Sequence, residues 1–203
     1  MKHVNALEYY DHDHIVVSLT ESKIYELSSQ YTVDMLTKSS IPGNYGGTVL
    51  DDGANHLQKI RNKELAVEEL AGYNHLAVFL RWAYEHDLLS EYLLNEMPSL
   101  PSMIADPDTD LRTVIADAPT FNGRLKTGHF NKAGKAFAKE FYAFAVGGYP
   151  SCVDRYAEKT LGTEEYHSDR YKNEAYLFVP YNETYYYGLS QYIDTAWNEY
   201  CCR

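Results

Sequence analysis

Between Glu183 and Tyr200, the residues Tyr186, Leu189, Ile193, Ala196 and Tyr200 recur at alternating steps of three and four. That spacing lines five apolar side chains along one stripe of an α-helix. It fits no strand, whose faces alternate at every second residue. The same period returns in Leu76, Phe79, Leu80 and Ala83 behind Asn74, a candidate cap. It returns again in Ala133, Phe137, Phe141, Phe144 and Ala145 behind Asn131, in a helix that runs to about Val146 and ends at Gly147-Gly148 ahead of Pro150.

Weaker signals fill the intervals. Ile24, Leu27, Tyr31 and Met35 predict a helix over 20–36, and His14 to Leu19 is a β-prone run that could extend it. Prolines and glycines between Ser39 and Gly53 predict a loop, followed by a helix over about 55–71 that Gly72 terminates. Ser90 opens a short helical piece, and Cys152 to Lys159 reads as another. The proline- and acid-rich stretch from Pro98 to Pro119 reads as mostly loop, with one helical turn near 109–116. Glu174 to Val179, bounded by Pro180, is the best strand candidate. The fold class is therefore mainly α, a single compact helical domain with a minor β element, α+β being the alternative. An N-terminal arm of about residues 1–50 is expected to pack on a helical core of about 55–203.

At 203 residues with 45% hydrophobic and 23% charged side chains, the chain can bury one substantial core. No apolar run approaches the roughly 18 residues of a membrane span, so no membrane partner is expected. The first fourteen residues are polar and acidic where a signal peptide would be apolar, which points to the cytoplasm. Cys152, Cys201 and Cys202 cannot complete a disulfide framework and read as reduced thiols.

Charge and tyrosine narrow the function classes. The formal net charge is −11, and a nucleic-acid binder normally presents a basic domain, so that class is disfavoured. From Glu85 to Asp117, eight acids (Glu85, Asp87, Glu91, Glu96, Asp106, Asp108, Asp110 and Asp117) face the single strong base Arg112. The next stretch, with Arg124, Lys126, Lys132, Lys135 and Lys139, is basic. Twenty tyrosines supply large, stiff contact surfaces with polar tips. Tyr185, Tyr186 and Tyr187 are consecutive, and helix positions turned by about 100° each cannot all face one core. At least one of the three should meet solvent or a second surface, a partner or a homodimer contact.

Catalytic motifs are weak. Asp11-His12-Asp13-His14 offers metal donors, but neighbours on a strand point to opposite faces, so a solvated terminal stretch is the simpler reading. Asp106, Asp108, Asp110 and Asp117 fall at calcium-loop positions 1, 3, 5 and 12, yet Leu111 stands where that loop turns on glycine. Cys152 lies near a helix start and is equally a small core residue. His75 flanks the apolar face of the clearest helix and reads as a structural histidine. No phosphate loop, nucleophile elbow or dinucleotide fingerprint occurs. No catalytic, cofactor-binding or metal-binding residue is assigned, and no cofactor is expected.

Three stretches, taken in order, look familiar. They are Asn74-His75-Leu76-Ala77-Val78-Phe79-Leu80-Arg81-Trp82 with Leu88-Leu89-Ser90, then Phe130-Asn131-Lys132-Ala133-Gly134 through Phe141-Tyr142, and Tyr149 with Asp154-Arg155-Tyr156. Over roughly residues 73–160 the chain resembles small bacterial proteins, some of which look like immunity proteins of polymorphic or contact-dependent toxin systems. That resemblance implies a non-enzymatic protein that binds and blocks a cognate toxin domain, and it brings no catalytic residues. A nuclease toxin is often basic, so the expected contact set is Glu85, Asp87, Glu91, Glu96, Asp106, Asp108 and Asp110, with Tyr185 and Tyr187 as anchors. The alternatives are a small metal-dependent hydrolase using groups near Asp11–His14 or His75, and a homodimeric structural protein.

Overall fold

The computed structural model describes residues 7–9, 15–17, 47–144 and 147–203. The chain divides into two compact units, Met1–Gly46 and Gly47–Arg203. In the first, β1 (Leu7–Tyr9) pairs antiparallel with β2 (Ile15–Val17), so the β-prone run does form a strand. The helix expected over 20–36, the Asp11–His14 donors and the packing of the arm on the core lie outside the described residues.

The second unit is mainly helical. After β3 (Val49–Asp52) come α1 (Gly53–Asn62), a 3-10 turn (Glu69–Tyr73) and α2 (Asn74–Glu85). Three short helices follow, α3 (Glu91–Glu96), α4 (Leu100–Ala105) and α5 (Leu111–Asp117). β4 (Arg124–Lys126) leads through a 3-10 turn (Thr127–His129) to α6 (Lys132–Ala143) and α7 (Tyr149–Leu161). The chain closes with α8 (Thr163–Tyr166), 3-10 turns at Asp169–Tyr171 and Ala175–Phe178, and α9 (Glu183–Cys201).

α2 is the central element. Asn74 through Leu80 are all buried, as are Trp82 and Ala83, so the helix is wrapped on nearly every side. It packs against α5 and α9, and α9 packs in turn on α6 and α7. Phe79 is the hub of an aromatic core, with ring centroids 5.0 Å from Tyr149, 5.2 Å from Tyr142 and 5.6 Å from Phe130. Tilted and edge-on pairs at such distances add to plain area burial. Trp82 completes its polar edge by donating Nε1–H to Asp194 at 2.8 Å.

The one sheet of this unit is small but places the site. β3 and β4 are antiparallel, with Val49 opposite Lys126, Asp51 opposite Leu125 and Asp52 opposite Arg124. The register shift leaves Leu50 as an extra residue, a β-bulge of the kind that re-aims the side chains beside it. Asp52 caps α1 through Ala54 N at 2.9 Å and pairs with Arg124 at 2.8 Å. Asp51, its neighbour, turns to a different task. Gly53 makes the tight start possible, because a Cβ there would lie 2.0 Å from the Tyr73 ring.

Several sequence expectations need correction. The helix expected over 55–71 stops at Asn62, where Glu64 adopts a left-handed φ of 49° and a separate 3-10 turn begins. Asn74 is inside α2 and caps nothing: its amide donates to Val179 O at 3.1 Å and accepts from Arg112 Nη1 at 3.2 Å. Residues 98–119 hold two helices, because Pro101 sits in the first turn of α4, where no intrahelical N–H is needed, and Asp110 caps α5. Glu174 to Val179 is a 3-10 turn rather than a strand. Its alternating burial is real, but left-handed Lys172 and Asn173 turn the chain, and Leu177 N bonds back to Glu174 O at 3.1 Å. The caps at Ser90, Asn131 and the long terminal helix are as expected.

Candidate functional site

The expected acidic contact set resolves into two parts. Asp106, Asp108 and Asp110 line a groove of about 490 Å³ together with Arg81, Arg112, Tyr181, Glu183 and Tyr186. Glu85 adjoins it, accepting from Arg81 Nε at 2.9 Å and from the Tyr186 hydroxyl. Asp87, Glu91 and Glu96 are exposed but do not line the groove. The acidic segment of α4–α5 and the start of α9, some seventy residues apart, thus share one surface.

Both groove arginines are already neutralised. The Arg81 guanidinium forks onto Glu183 and lies 3.8 Å from the Tyr186 ring centroid. Arg112, 9% exposed, takes the Asp110 carboxylate through Nε at 3.0 Å and Nη2 at 2.7 Å, reaches Glu68, and sits 4.7 Å over Tyr181. Asp106 accepts from Asp108 N at 3.0 Å and Thr109 Oγ1 at 2.9 Å, and these bonds, the backbone one foremost, hold its carboxyl below the usual range. Of the four calcium-loop carboxylates, Asp106 closes an Asp-turn and Asp110 caps a helix, with Leu111–Asp117 helical instead of looped.

The three consecutive tyrosines of α9 point three ways. Tyr187 is 58% exposed, and Tyr186 lines the groove with its hydroxyl on Glu85. Tyr185 is 2% exposed and stacks edge-on with Tyr156 at 5.4 Å, so it is a core residue and cannot anchor a partner. Its helical phase, two positions and about 200° from the solvent-facing Tyr187, puts it against α7.

A second site was not assembled by sequence. The Leu50 bulge aims Asp51 so that Oδ1 lies 2.9 Å from His56 Nε2 and Oδ2 lies 2.9 Å from His75 Nε2. His56 comes from α1 and His75 from the first turn of α2. Their rings are 4.6 Å apart and nearly perpendicular. His56 Nδ1 lies 2.7 Å from the Tyr176 hydroxyl, and that ring stands edge-on to both imidazoles. Tyr176 is held in turn by the 3-10 segment, which Lys59 and Lys63 tie down through Glu174 at 3.1 and 2.7 Å. These groups line a cavity of about 240 Å³ with Lys59, Tyr142, Val153 and Asp154.

Electrostatics fix the protons. Burial alone would raise the Asp51 carboxyl, but the charge and hydrogen bonds of His75 and His56 more than offset it and hold the group well below the usual carboxylate range. Burial pushes His56 down, against the opposing pull of Asp51. An ionised Asp51 accepts from both Nε2–H groups. His56 Nδ1 accepts from Tyr176, whereas His75 Nδ1 has no hydrogen-bond partner among the described residues. Burial lifts the Tyr176 phenol, reinforced by Glu174, so it stays a donor. Asp154, exposed at the rim, is raised by its partial desolvation against a hydrogen bond from Tyr166. Asp51, His56 and His75 offer one donor atom each within 4.8 Å of one another, the one such group of three among the described residues. Cys152, by contrast, is a buried thiol pushed up by desolvation, in keeping with a core residue.

Fold and sites together define a small, mainly helical protein with an acidic, tyrosine-edged groove and a separate Asp–His–His cavity. The chain belongs to the family described as a domain of unknown function (DUF7832), which it matches over residues 49–172. That span holds Asp51, His56, His75 and the acidic loop, but not Tyr176 or the tyrosines of α9. No curated protein and no solved structure is significantly similar to the chain. Among the described residues, no helix is long and apolar enough to cross a membrane.

Proposed function

We propose that this chain is a cytoplasmic, non-enzymatic immunity protein that neutralises a cognate bacterial toxin by binding a basic surface of it in the acidic groove. The observation that carries this reading is the convergence of Asp106, Asp108 and Asp110 with Glu183 and Tyr186 around one concavity, beside exposed Tyr187. Arg81 and Arg112 are spent on internal carboxylates, so the groove presents a net negative field to an incoming partner. Such a field speeds encounter and disfavours acidic competitors, and a stiff aromatic rim supplies contact area at little entropic cost. Exposed Asp87, Glu91 and Glu96 extend the field without lining the groove and would act on association rate more than on the lifetime of the complex.

The test is co-expression with candidate basic toxin domains, followed by binding kinetics at two salt concentrations. The wild-type chain is expected to restore growth, and Asp106→Lys with Asp108→Lys to slow association at least about tenfold at low salt while leaving the fold intact. Growth rescue and association rates that ignore the double reversal would remove the groove from the account.

A further inference from the structure

From the geometry of the Asp51–His56–His75 cluster we infer that it is a binding site for a first-row divalent metal ion, zinc foremost, with one carboxylate and two imidazoles as its protein ligands. The donors are already gathered. Each imidazole is 2.9 Å from an Asp51 oxygen, and the three donor atoms lie within 4.8 Å of one another. Ligands about 2.0–2.1 Å from a tetrahedral ion are themselves about 3.3 Å apart, so closure needs movements of about 1.5 Å at most.

The surroundings favour a metal over a purely structural network. His75 is 4% exposed and lines the cavity, so its imidazole is held at the site rather than left in solvent. His56 has the outer support common at metal sites, its second nitrogen bonded to Tyr176. The Tyr149 hydroxyl donates to the His75 backbone carbonyl at 2.7 Å, so the second ligand is fixed from behind as well.

Two nitrogens with one oxygen suit zinc or ferrous iron better than magnesium or calcium, which prefer all-oxygen shells. Three protein ligands leave at least one position open. The cavity beside them has room for water or a small anion facing Lys59, whose ammonium is otherwise drawn to Glu174 at 3.1 Å.

The experiment uses the full chain, stripped with a chelator and titrated with Zn²⁺ by calorimetry and with Co²⁺ by visible absorption. One equivalent of Zn²⁺ is expected, together with a Co²⁺ spectrum of four- or five-coordinate type. Asp51→Asn and His56→Gln, each checked by circular dichroism, should weaken Zn²⁺ by more than about 100-fold, beyond what loss of an outer-shell group costs. A His12→Ala/His14→Ala variant should bind as wild type. The Co²⁺ spectrum of the wild-type chain needs no variant, so a purely hexaaqua-like spectrum overturns the site even if both variants fail to fold. Binding that survives His56→Gln and vanishes in the His12/His14 variant overturns it too.

Discussion

Asp51 Oδ2 and His75 Nε2 meet at 2.9 Å across 24 positions of sequence, joining a bulged strand to the first turn of the most deeply buried helix. The bond ties the small sheet to the helical core, and the other Asp51 oxygen ties α1 to the same point. Removing the carboxylate leaves two mostly buried N–H donors unpaired, each at a cost of about 1–3 kcal/mol. Asp51→Ala should therefore lower unfolding free energy by about 2–4 kcal/mol in a urea titration, and Asp51→Asn by less, since its amide oxygen still accepts. A change below about 0.5 kcal/mol for Asp51→Ala would show that the bonds contribute nothing to the fold.

Acid should destabilise this protein well above the pH at which carboxylates titrate. Burial pushes His129 down to about 3, assisted by the Lys126 charge, from an unfolded value of 6.5. Between those two values the unfolded chain binds the proton and the folded chain does not. The stabilisation is therefore complete above pH 6.5 and is lost as pH falls, by up to about 1.4 kcal/mol per pH unit. His56, also lowered by burial, acts with the same sign. Asp51, held low in the fold, adds a loss that begins as pH drops below its unfolded value of 3.8. Urea titrations at pH 7, 5.5 and 4 should show a steep fall in wild type and a shallower one in His129→Gln. Equal slopes would assign the fall to other groups.

Two asparagines that look alike in sequence should respond differently to glycine. Asn131 Oδ1 accepts from Gly134 N at 3.0 Å and caps α6, so Asn131→Ala should cost about 1 kcal/mol and Asn131→Gly only a few tenths. Asn74 bridges Val179 O and Arg112 inside the core. Its replacement by glycine should cost more than about 2 kcal/mol, combining a lost buried bridge with a flexible residue inside a helix. Thermal melts of the three variants decide it, and a mild Asn74→Gly would mean the bridge is dispensable.

α7 and α9 approach closely at Gly188, where an added Cβ would lie 2.1 Å from the Tyr156 ring. Tyr156 is buried and its hydroxyl donates to Thr184 O at 3.2 Å, so the ring has little freedom to yield. Gly188→Val should destabilise by about 1–3 kcal/mol, seen as a lower melting temperature. An unchanged melting temperature would mean that the two helices are free to separate.

Local pattern carried a large part of this architecture. The three- and four-residue spacing along α9, the cap at Asn131 and the cap at Ser90 were legible because each depends on residues within one or two turns. The acidic segment was equally visible, though not that Arg81 and Arg112 would be consumed internally while Asp106 and Asp108 were left facing a groove. Alternation at 174–179 misled because a short apolar run looks the same in a strand as in a tight turn until a partner strand is found or missed.

The Asp–His–His cavity shows most plainly where local reading stops. His75 stood out only as a histidine beside an apolar face, and Asp51, His56 and Tyr176 carried no signal of their own. Amino-acid spacing by itself determined that the chain would be helical, where its main helices cap, and that it would be acidic and rich in tyrosine. Only the tertiary structure decided that Asp51 turns away from Asp52, that Tyr185 goes inward while Tyr187 stays out, and that four side chains up to 125 positions apart share one cavity. Periodicity is a property of neighbours along the chain, whereas a site depends on the register of a bulged strand against two helices, which only packing sets.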